Sequence, residues 1–206
     1  MSDIKKAKVP QLNRILELQS FVQNFHYIER VVHLSDTSER RESDTEHSYS
    51  LAMMAWFVAL HFPELDTNKC IRLALVHDLV EIYAGDTFTF GDKELIASKA
   101  QRELAALERI EKEWPDFKEL SDDIHEYENL ETPESSFVFA LDKIIPSIVI
   151  YLGGGKTWRD HSITLEQIRE VKERKVKSPL VLHYYDELFE ILETLPHYFP
   201  DKKNTP

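Results

Sequence analysis

The sequence predicts an all-α protein, and we expect a single-domain helical bundle over residues 1–206. Three observations support this prediction. Only five glycines occur in 206 residues, and three of them are consecutive at Gly153–Gly155. Apolar residues recur at the three- and four-residue spacing of amphipathic helices. Helical segments follow one another with no change in composition, and 42% hydrophobic residues can form a substantial core.

Start and stop signals divide the chain into helices. Ser43–Glu46 has the capping-box form, Thr132 precedes a proline that suits the first helical position, and Gly85 stands where a C-cap glycine is expected. With the apolar spacing, these signals predict helices over about 9–25, 43–61, 66–83, 92–114, 117–129, 134–152, 164–177 and 178–195. Residues 26–41 are less regular, and we expect a loop or short turns there.

Three of the predicted helices carry ionisable side chains against an apolar background. His47 lies in the first turn of a helix that is apolar almost all round and therefore expected to be buried. His77, Asp78 and Glu81 fall within five residues, and Asp142 stands in the middle of an apolar segment. Because an unpaired buried ion is costly, a bound metal ion that cancels the charge is the simplest explanation. Two imidazoles and two carboxylates suit Mn, Co, Fe, Ni or Zn.

The order of these residues resembles that of the HD-domain superfamily of metal-dependent phosphohydrolases. The segments Arg40–Ser48, His77–Asp86 and Leu141–Lys143 are similar to those of the branch that contains bacterial 5'-deoxynucleotidases and HD domain-containing protein 2. The resemblance spans roughly residues 12–152. It implies a domain of the HD-domain type with a core over about 12–152. From the residues themselves we expect C-terminal helices over about 164–195 and a frayed polar tail at 200–206.

The resemblance also implies roles for individual residues. The metal ligands of the family correspond to His47, His77, Asp78 and Asp142, which would hold one divalent ion. Mg is a further candidate for this ion, besides Mn, Co, Fe, Ni and Zn. The catalytic residues of the family correspond to Glu81, which would take or orient a proton of the attacking water, and Asp86, which would contact the sugar or protonate the leaving 5' oxygen. The implied substrate contacts are Arg30, Arg40, Asp86, Thr87, Phe88, Thr89 and Lys143.

Two departures from the family pattern leave details of the substrate open. Arg30 is further from His47 than the equivalent arginine in the bacterial enzymes, so Arg40, Arg41 and Lys143 are alternative phosphate contacts. Val31 stands where the family has a tryptophan that crowds the sugar 2' position. The choice between ribose and deoxyribose is therefore not fixed by the sequence.

We therefore expect a metal-dependent phosphomonoesterase that hydrolyses (deoxy)nucleoside 5'-monophosphates to nucleoside and phosphate. One alternative is hydrolysis of another small phosphoester, and a second is a non-catalytic regulatory module that keeps the metal site. Retention of both Glu81 and Asp86 disfavours the module, because metal binding alone needs neither. Di-iron oxygenases of the HD fold need extra histidines between the His-Asp pair and the last aspartate. Only His125 occurs in this interval, so a single metal ion and hydrolysis are favoured.

Charge and composition limit the partners and the location. A net charge of -12 argues against nucleic acid and against an anionic membrane surface. Cys70 is the single cysteine, which excludes intramolecular disulfides. We find no apolar run of membrane-spanning length, the longest candidate being 48–63, and no signal peptide. The expected protein is cytoplasmic, its partner is a small phosphoester such as a nucleotide, and the resemblance implies a homodimer.

Overall fold

The computed structural model describes residues 8–176 and 178–200. The helices are α1 Pro10–Phe25, α2 Asp44–Ala59, α3 Thr67–Val76, α4 Glu81–Ala84, α5 Lys93–Glu113, α6 Lys118–Asn129, α7 Pro133–Leu152, α8 Lys156–Asp160, α9 Leu165–Lys175 and α10 Pro179–Glu193. A short 3-10 helix follows over Pro196–Tyr198. The all-α prediction is confirmed. The last residue of the predicted 164–177 helix and the tail from residue 201 lie outside the described residues.

The helix starts follow the predicted capping signals. The Ser43 hydroxyl accepts a hydrogen bond from the backbone N–H of Glu46, and the Glu46 side chain accepts one from the backbone N–H of Ser43. Thr132 and Thr164 form the same reciprocal arrangement at the starts of α7 and α9. A cap of this kind contributes about 1 kcal/mol. The cap at Ser43 also fixes His47 in the first turn of α2.

Helix α7 is the central element of the bundle. It packs against α2, α3, α6 and α10, and its residues Phe137, Val138 and Ala140 are fully buried. Pro146 lies within the helix and has no N–H to donate, so the usual helical hydrogen bond to the carbonyl of Asp142 is absent. A smaller group of buried apolar side chains lies among α1, α4, α5 and α6. That the whole chain forms one domain stays a prediction.

By length and composition alone, α7 could cross a membrane, contrary to the expectation that no stretch of this chain would qualify. Its most apolar window has a mean hydropathy of 1.6, and 56% of that window is buried inside the protein. The sequence search missed it because Asp142 and Lys143 interrupt the apolar run. A buried central helix passes the same test, so the finding is weak evidence for a membrane span.

The region 26–41, expected to be a loop or short turns, contains one strand of a β-hairpin. Strand β1, Glu29–His33, pairs antiparallel with strand β2, Arg41–Ser43. Glu29 lies opposite Ser43, and His33 lies opposite Arg41. The loop prediction was wrong there because β2 has only three residues and burial along β1 does not alternate. The hairpin leads directly into α2.

The predicted helix 66–83 is interrupted. Helix α3 ends at Val76, and α4 begins at Glu81. Between them, the N–H of Leu79 donates to the carbonyl of Val76 and that of Glu81 to the carbonyl of Asp78, which is 3-10 bonding. Apolar periodicity cannot distinguish this short connection from a continuous α-helix. Gly85 ends α4 as predicted, with φ of 74°.

Helix α2 is buried on one face rather than all round. His47, Leu51 and Ala55 are fully buried. The opposite face carries a stripe of apolar side chains that are 40–65% exposed: Tyr49, Met53, Trp56, Phe57 and Leu60. The expectation of all-round burial was wrong because no other described element covers this face, although its composition is apolar.

Candidate metal centre

Four predicted ligands converge in the interior of the bundle. His47, His77, Asp78 and Asp142 each offer one ligand atom, and these atoms all lie within 4.8 Å of one another. His47 Nε2 is 2.8 Å from Asp142 Oδ1. His77 Nε2 is 3.0 Å from Asp78 Oδ2 and 3.6 Å from Asp142 Oδ1. The structure therefore brings together the four side chains that the sequence singled out, from α2, the turn after α3, and α7.

The orientation of the imidazoles fits a divalent cation. The Nδ1–H of His77 donates to the backbone carbonyl of Ala74 at 2.9 Å, which directs Nε2 towards the carboxylates of Asp78 and Asp142. This buried Nε2 has no hydrogen-bond partner among the described residues, an arrangement that is rare unless the atom serves another purpose. A ring held through one nitrogen by a carbonyl is typical of metal-binding histidines. The cluster is thus able to bind a divalent metal.

The charges of the cluster also favour a cation. Burial and the charge of Arg30 lower the pKa of His47 to about 4, so this imidazole is neutral and can bind metal. Burial also lowers the pKa of His77, but the carboxylates of Asp78 and Asp142 outweigh this effect and raise the pKa of His77 to about 10. Although burial opposes it, Lys143 and the two histidines hold the pKa of Asp142 well below its usual range. Positive charge is therefore stabilised at this point.

Arg30 reaches the centre from the hairpin. Its Nη1 lies 3.3 Å from Asp44 Oδ1 and 3.3 Å from Asp78 Oδ2, and its Nε lies 3.3 Å from Glu42 Oε2. Burial opposes the charged form, but Asp78, Asp86 and Asp44 raise the pKa of Arg30, so the guanidinium is charged. The hairpin accommodates the long sequence separation between Arg30 and His47, and it places this arginine beside a predicted metal ligand.

Glu81 and Asp86 lie next to the four ligands, in a group with Asp44. One carboxylate oxygen from each lies within 4.8 Å of the others, so this group could itself hold a cation. Glu81 is 2% exposed, and its Oε1 accepts a hydrogen bond from Lys99 Nζ at 3.1 Å. Burial and the charge of Asp78 raise the pKa of Glu81 to about 11, against the opposing effect of Lys99. Burial also raises the pKa of Asp86.

Two adjoining cavities open beside these side chains. The first, of about 290 Å³, is polar. It is lined by Arg30, Asp78, Glu81, Asp86, Thr87, Thr89, Ile96, Lys99, Asp142, Lys143, Arg174 and Lys175. The second, of about 130 Å³, shares part of this lining and continues between Phe88, Trp158 and Tyr185. The predicted substrate residues Arg30, Asp86 to Thr89 and Lys143 all line one or both cavities.

Arg40 is the predicted substrate residue that the structure does not bring to the site. Its guanidinium pairs with Glu46, its side chain is 60% exposed, and it lines neither cavity. The alternative Arg41 is also exposed, in β2. The prediction for Arg40 was wrong because it relied on nearness to His47 in sequence, whereas Glu46, at the start of α2, holds Arg40 on the surface.

Several residues of the site carry no local sequence signal. Tyr127 in α6 donates its hydroxyl to Asp142 Oδ2 at 3.1 Å. Arg102 in α5 donates to the hydroxyl of Thr87 at 2.6 Å and to the carbonyl of Ala84, which fixes the loop after α4. Lys99 and Lys175 come from α5 and α9. Only the packing of distant helices brings these side chains to the centre, so no motif could have marked them.

A helical bundle that gathers two histidines and two aspartates from separate helices defines a metal-binding protein of the HD type. The sequence model of the HD domain family matches residues 22–181, and the chain belongs to this family. A crystal structure of a predicted metal-dependent phosphohydrolase from Magnetospirillum magnetotacticum MS-1 is similar to this fold with a TM-score of 0.77. The similarity covers 95% of this chain and 100% of that one, at 31% sequence identity.

Curated relatives are similar over part of their length. 5'-deoxynucleotidase HDDC2 from Xenopus laevis is 33% identical over 131 residues, which are 63% of this chain and 64% of that protein. 5'-deoxynucleotidase HDDC2 from Homo sapiens is 36% identical over 107 residues, 51% of each chain. The chain thus spans between about half and two thirds of the length of these relatives.

Proposed function

We propose that the protein is a metal-dependent phosphomonoesterase that hydrolyses (deoxy)nucleoside 5'-monophosphates to nucleoside and phosphate. The observation that carries this proposal is the convergence of four metal-type ligands within 4.8 Å beside a cavity that also holds Glu81 and Asp86. The similarity to 5'-deoxynucleotidases supports a nucleotide as substrate. The neighbouring apolar cavity supports it further, because a nucleoside has an apolar face to bury.

The side chains of the cavity suit each part of this reaction. When bound, a divalent ion supplies the Lewis acidity that activates water and polarises a phosphoryl oxygen. Glu81 is placed to orient the attacking water. Burial and the charge of Asp78 raise the pKa of Glu81, whereas Lys99, and a cation bound at Asp78, would favour the carboxylate that accepts the proton. Burial raises the pKa of Asp86, which suits it to donate a proton to the leaving 5' oxygen. Arg30 and Lys143 neutralise the phosphate.

The sugar preference follows from the side chain at position 31. Val31 lines the apolar cavity, and it is smaller than the tryptophan expected there. We propose that the sugar 2' position is not crowded and that ribonucleotides are hydrolysed alongside deoxyribonucleotides. A ratio of kcat/KM above about a hundredfold for dAMP over AMP would contradict this part of the proposal.

The decisive experiment measures release of inorganic phosphate from nucleoside 5'-monophosphates and from glycerol phosphate, with Mn²⁺ or Co²⁺. Glu81→Gln is expected to lower kcat by ~100-fold or more, since general acid–base groups contribute that much, with bound metal retained by elemental analysis. Glu103→Gln is the matched control, because Glu103 pairs with the same Lys99 but lines neither cavity. Release from glycerol phosphate alone would favour another phosphoester, and release from none would favour the regulatory module.

We also propose a cytoplasmic homodimer. The exposed stripe on α2, defined above, supports self-association, because monomeric proteins rarely expose large contiguous apolar patches. Sedimentation of the wild-type protein and of Trp56→Glu tests this proposal. A monomeric wild-type protein would contradict it.

A further inference from the structure

The C-terminal helices form one wall of the polar cavity. The last turn of α9 brings Arg174 and Lys175 to the lining that also contains Asp78, Glu81 and Asp142. Lys175 lines the apolar cavity as well, so it lies where the two cavities meet. Neither residue falls in the region 12–152 that the sequence assigns to the catalytic core.

Lys175 differs from the other buried or partly buried cations of the cavity in its pairing. Arg30 pairs with Asp78 at 3.3 Å, Lys99 pairs with Glu81 at 3.1 Å, and Lys143 pairs with Asp142. Lys175 is partly buried, yet it forms no hydrogen bond or ion pair with any residue in the described ranges. Burial and the charge of nearby Lys143 lower its pKa to about 8. The charge of Asp142 favours this ammonium group, but no carboxylate in the described ranges pairs with it directly.

A phosphate dianion is the ligand that this arrangement fits. The cavity is lined by cations from four elements of an otherwise acidic protein, and an unpaired, partly desolvated ammonium favours a bound anion. We propose that Lys175 binds the phosphate group of the substrate from the C-terminal wall of the cavity that Glu81 and Asp78 also line. This inference rests on the proposed function and adds a substrate-binding residue to it.

The alternative is that Lys175 merely stabilises the end of α9. Cations in the last turn of a helix interact favourably with the helix dipole, and Lys172 lies in the same turn. Lys172 pairs with Asp186 and lines neither cavity. It therefore offers a matched control, because its substitution removes a charge from the same turn without touching the proposed site.

The test measures binding of inorganic phosphate to the Mn²⁺-loaded protein by titration calorimetry. A hydrogen bond to a charged group contributes enough binding free energy that Lys175→Gln is expected to weaken phosphate binding by ~10-fold or more. Lys172→Gln should bind phosphate as the wild type does, and Lys175→Arg should recover most of the affinity. Mn²⁺ content, measured in parallel, is expected to be equal in all four proteins.

The inference would be overturned by equal phosphate affinity in Lys175→Gln and Lys172→Gln, or by no phosphate binding to the wild type. The outcome is separable from the fate of the proposed function. Phosphate binding that depends on Lys175, without hydrolysis of any nucleotide, would remove only the proposed function. Nucleotide hydrolysis with an unchanged KM in Lys175→Gln would remove only the inference.

Discussion

Replacing Tyr127 by phenylalanine tests how the surroundings of the metal ligands support the site. The ring of Tyr127 packs against His77 with centroids 5.3 Å apart, and the residue is 4% exposed. Its hydroxyl donates to Asp142 Oδ2 at 3.1 Å. Tyr127→Phe removes this one donor and retains the ring, so packing around His77 is preserved while the orientation of Asp142 is weakened.

The expected magnitude follows from the contacts of Asp142. A hydrogen bond to a charged group contributes about 1.5–3 kcal/mol. Because Lys143 also donates to Oδ2, the lower end applies, and about 1.4 kcal/mol corresponds to a tenfold change in affinity. Loss of a group that orients a metal ligand commonly costs about 10–100-fold in metal affinity. We expect Mn²⁺ to bind Tyr127→Phe about tenfold more weakly.

Titration calorimetry with Mn²⁺ measures this change directly, and phosphate release at limiting and saturating Mn²⁺ provides a second readout. Activity should fall at limiting Mn²⁺ and recover at saturation, because the substitution leaves Glu81 and Asp86 untouched. Tyr83→Phe is the matched control, since the Tyr83 hydroxyl donates to Glu113 outside the site. Equal Mn²⁺ affinity in the two variants would refute the reasoning.

Three further predictions concern the loop, the buried acids and two glycines. Arg102→Gln frees the loop after α4, so KM for a nucleotide should rise ~10-fold with little change in kcat, measured by phosphate release. Burial raises the pKa of Glu42 and of Asp44 to about 7, so the stability they provide is full below about pH 4 and is lost as pH rises through about 7. In EDTA, urea unfolding should show a loss on the order of 5 kcal/mol between about pH 5 and pH 8, and stability that rises with pH would contradict it. A Cβ added at Gly155, where φ is 83°, would lie 2.8 Å from backbone atoms, whereas a Cβ added at Gly85, where φ is 74°, would meet open space. In thermal unfolding, Gly155→Ala should therefore lower the free energy of unfolding by clearly more than the ~1–2 kcal/mol of left-handed strain alone.

The elements with local signals could be predicted from the sequence. The capping box at Ser43 predicted the start of α2 and placed His47 in the first turn of this helix. Asp142 stood out because it interrupts an apolar helix. The hairpin could not be predicted, because a three-residue strand is shorter than any reliable alternation. The break after Val76 was missed because the 3-10 connection is too short for its apolar spacing to be distinguished from that of an α-helix.

The candidate metal ligands could be predicted from the sequence, whereas some residues that surround them could not. His47, His77, Asp78 and Asp142 are conspicuous as charges in apolar segments, so sequence alone pointed to them. Tyr127 and Lys175 are ordinary residues of amphipathic helices, and only tertiary packing gives them a position near Asp142. Arg40 is the opposite case, because the sequence assigned it to the site from its place beside a motif, whereas its pairing with Glu46 holds it in solvent.

The placement of the triple glycine has a consequence for how such a protein can diversify. Every candidate ligand and both acidic residues assigned to the reaction precede Gly153, whereas Trp158, Lys175 and Tyr185 follow it. The lining of the cavities is thus encoded on both sides of the glycines, with Arg30, Val31 and Phe88 before them. Exchanging the stretch after the glycines between relatives would replace the C-terminal wall of the cavities and leave the four candidate metal ligands unchanged.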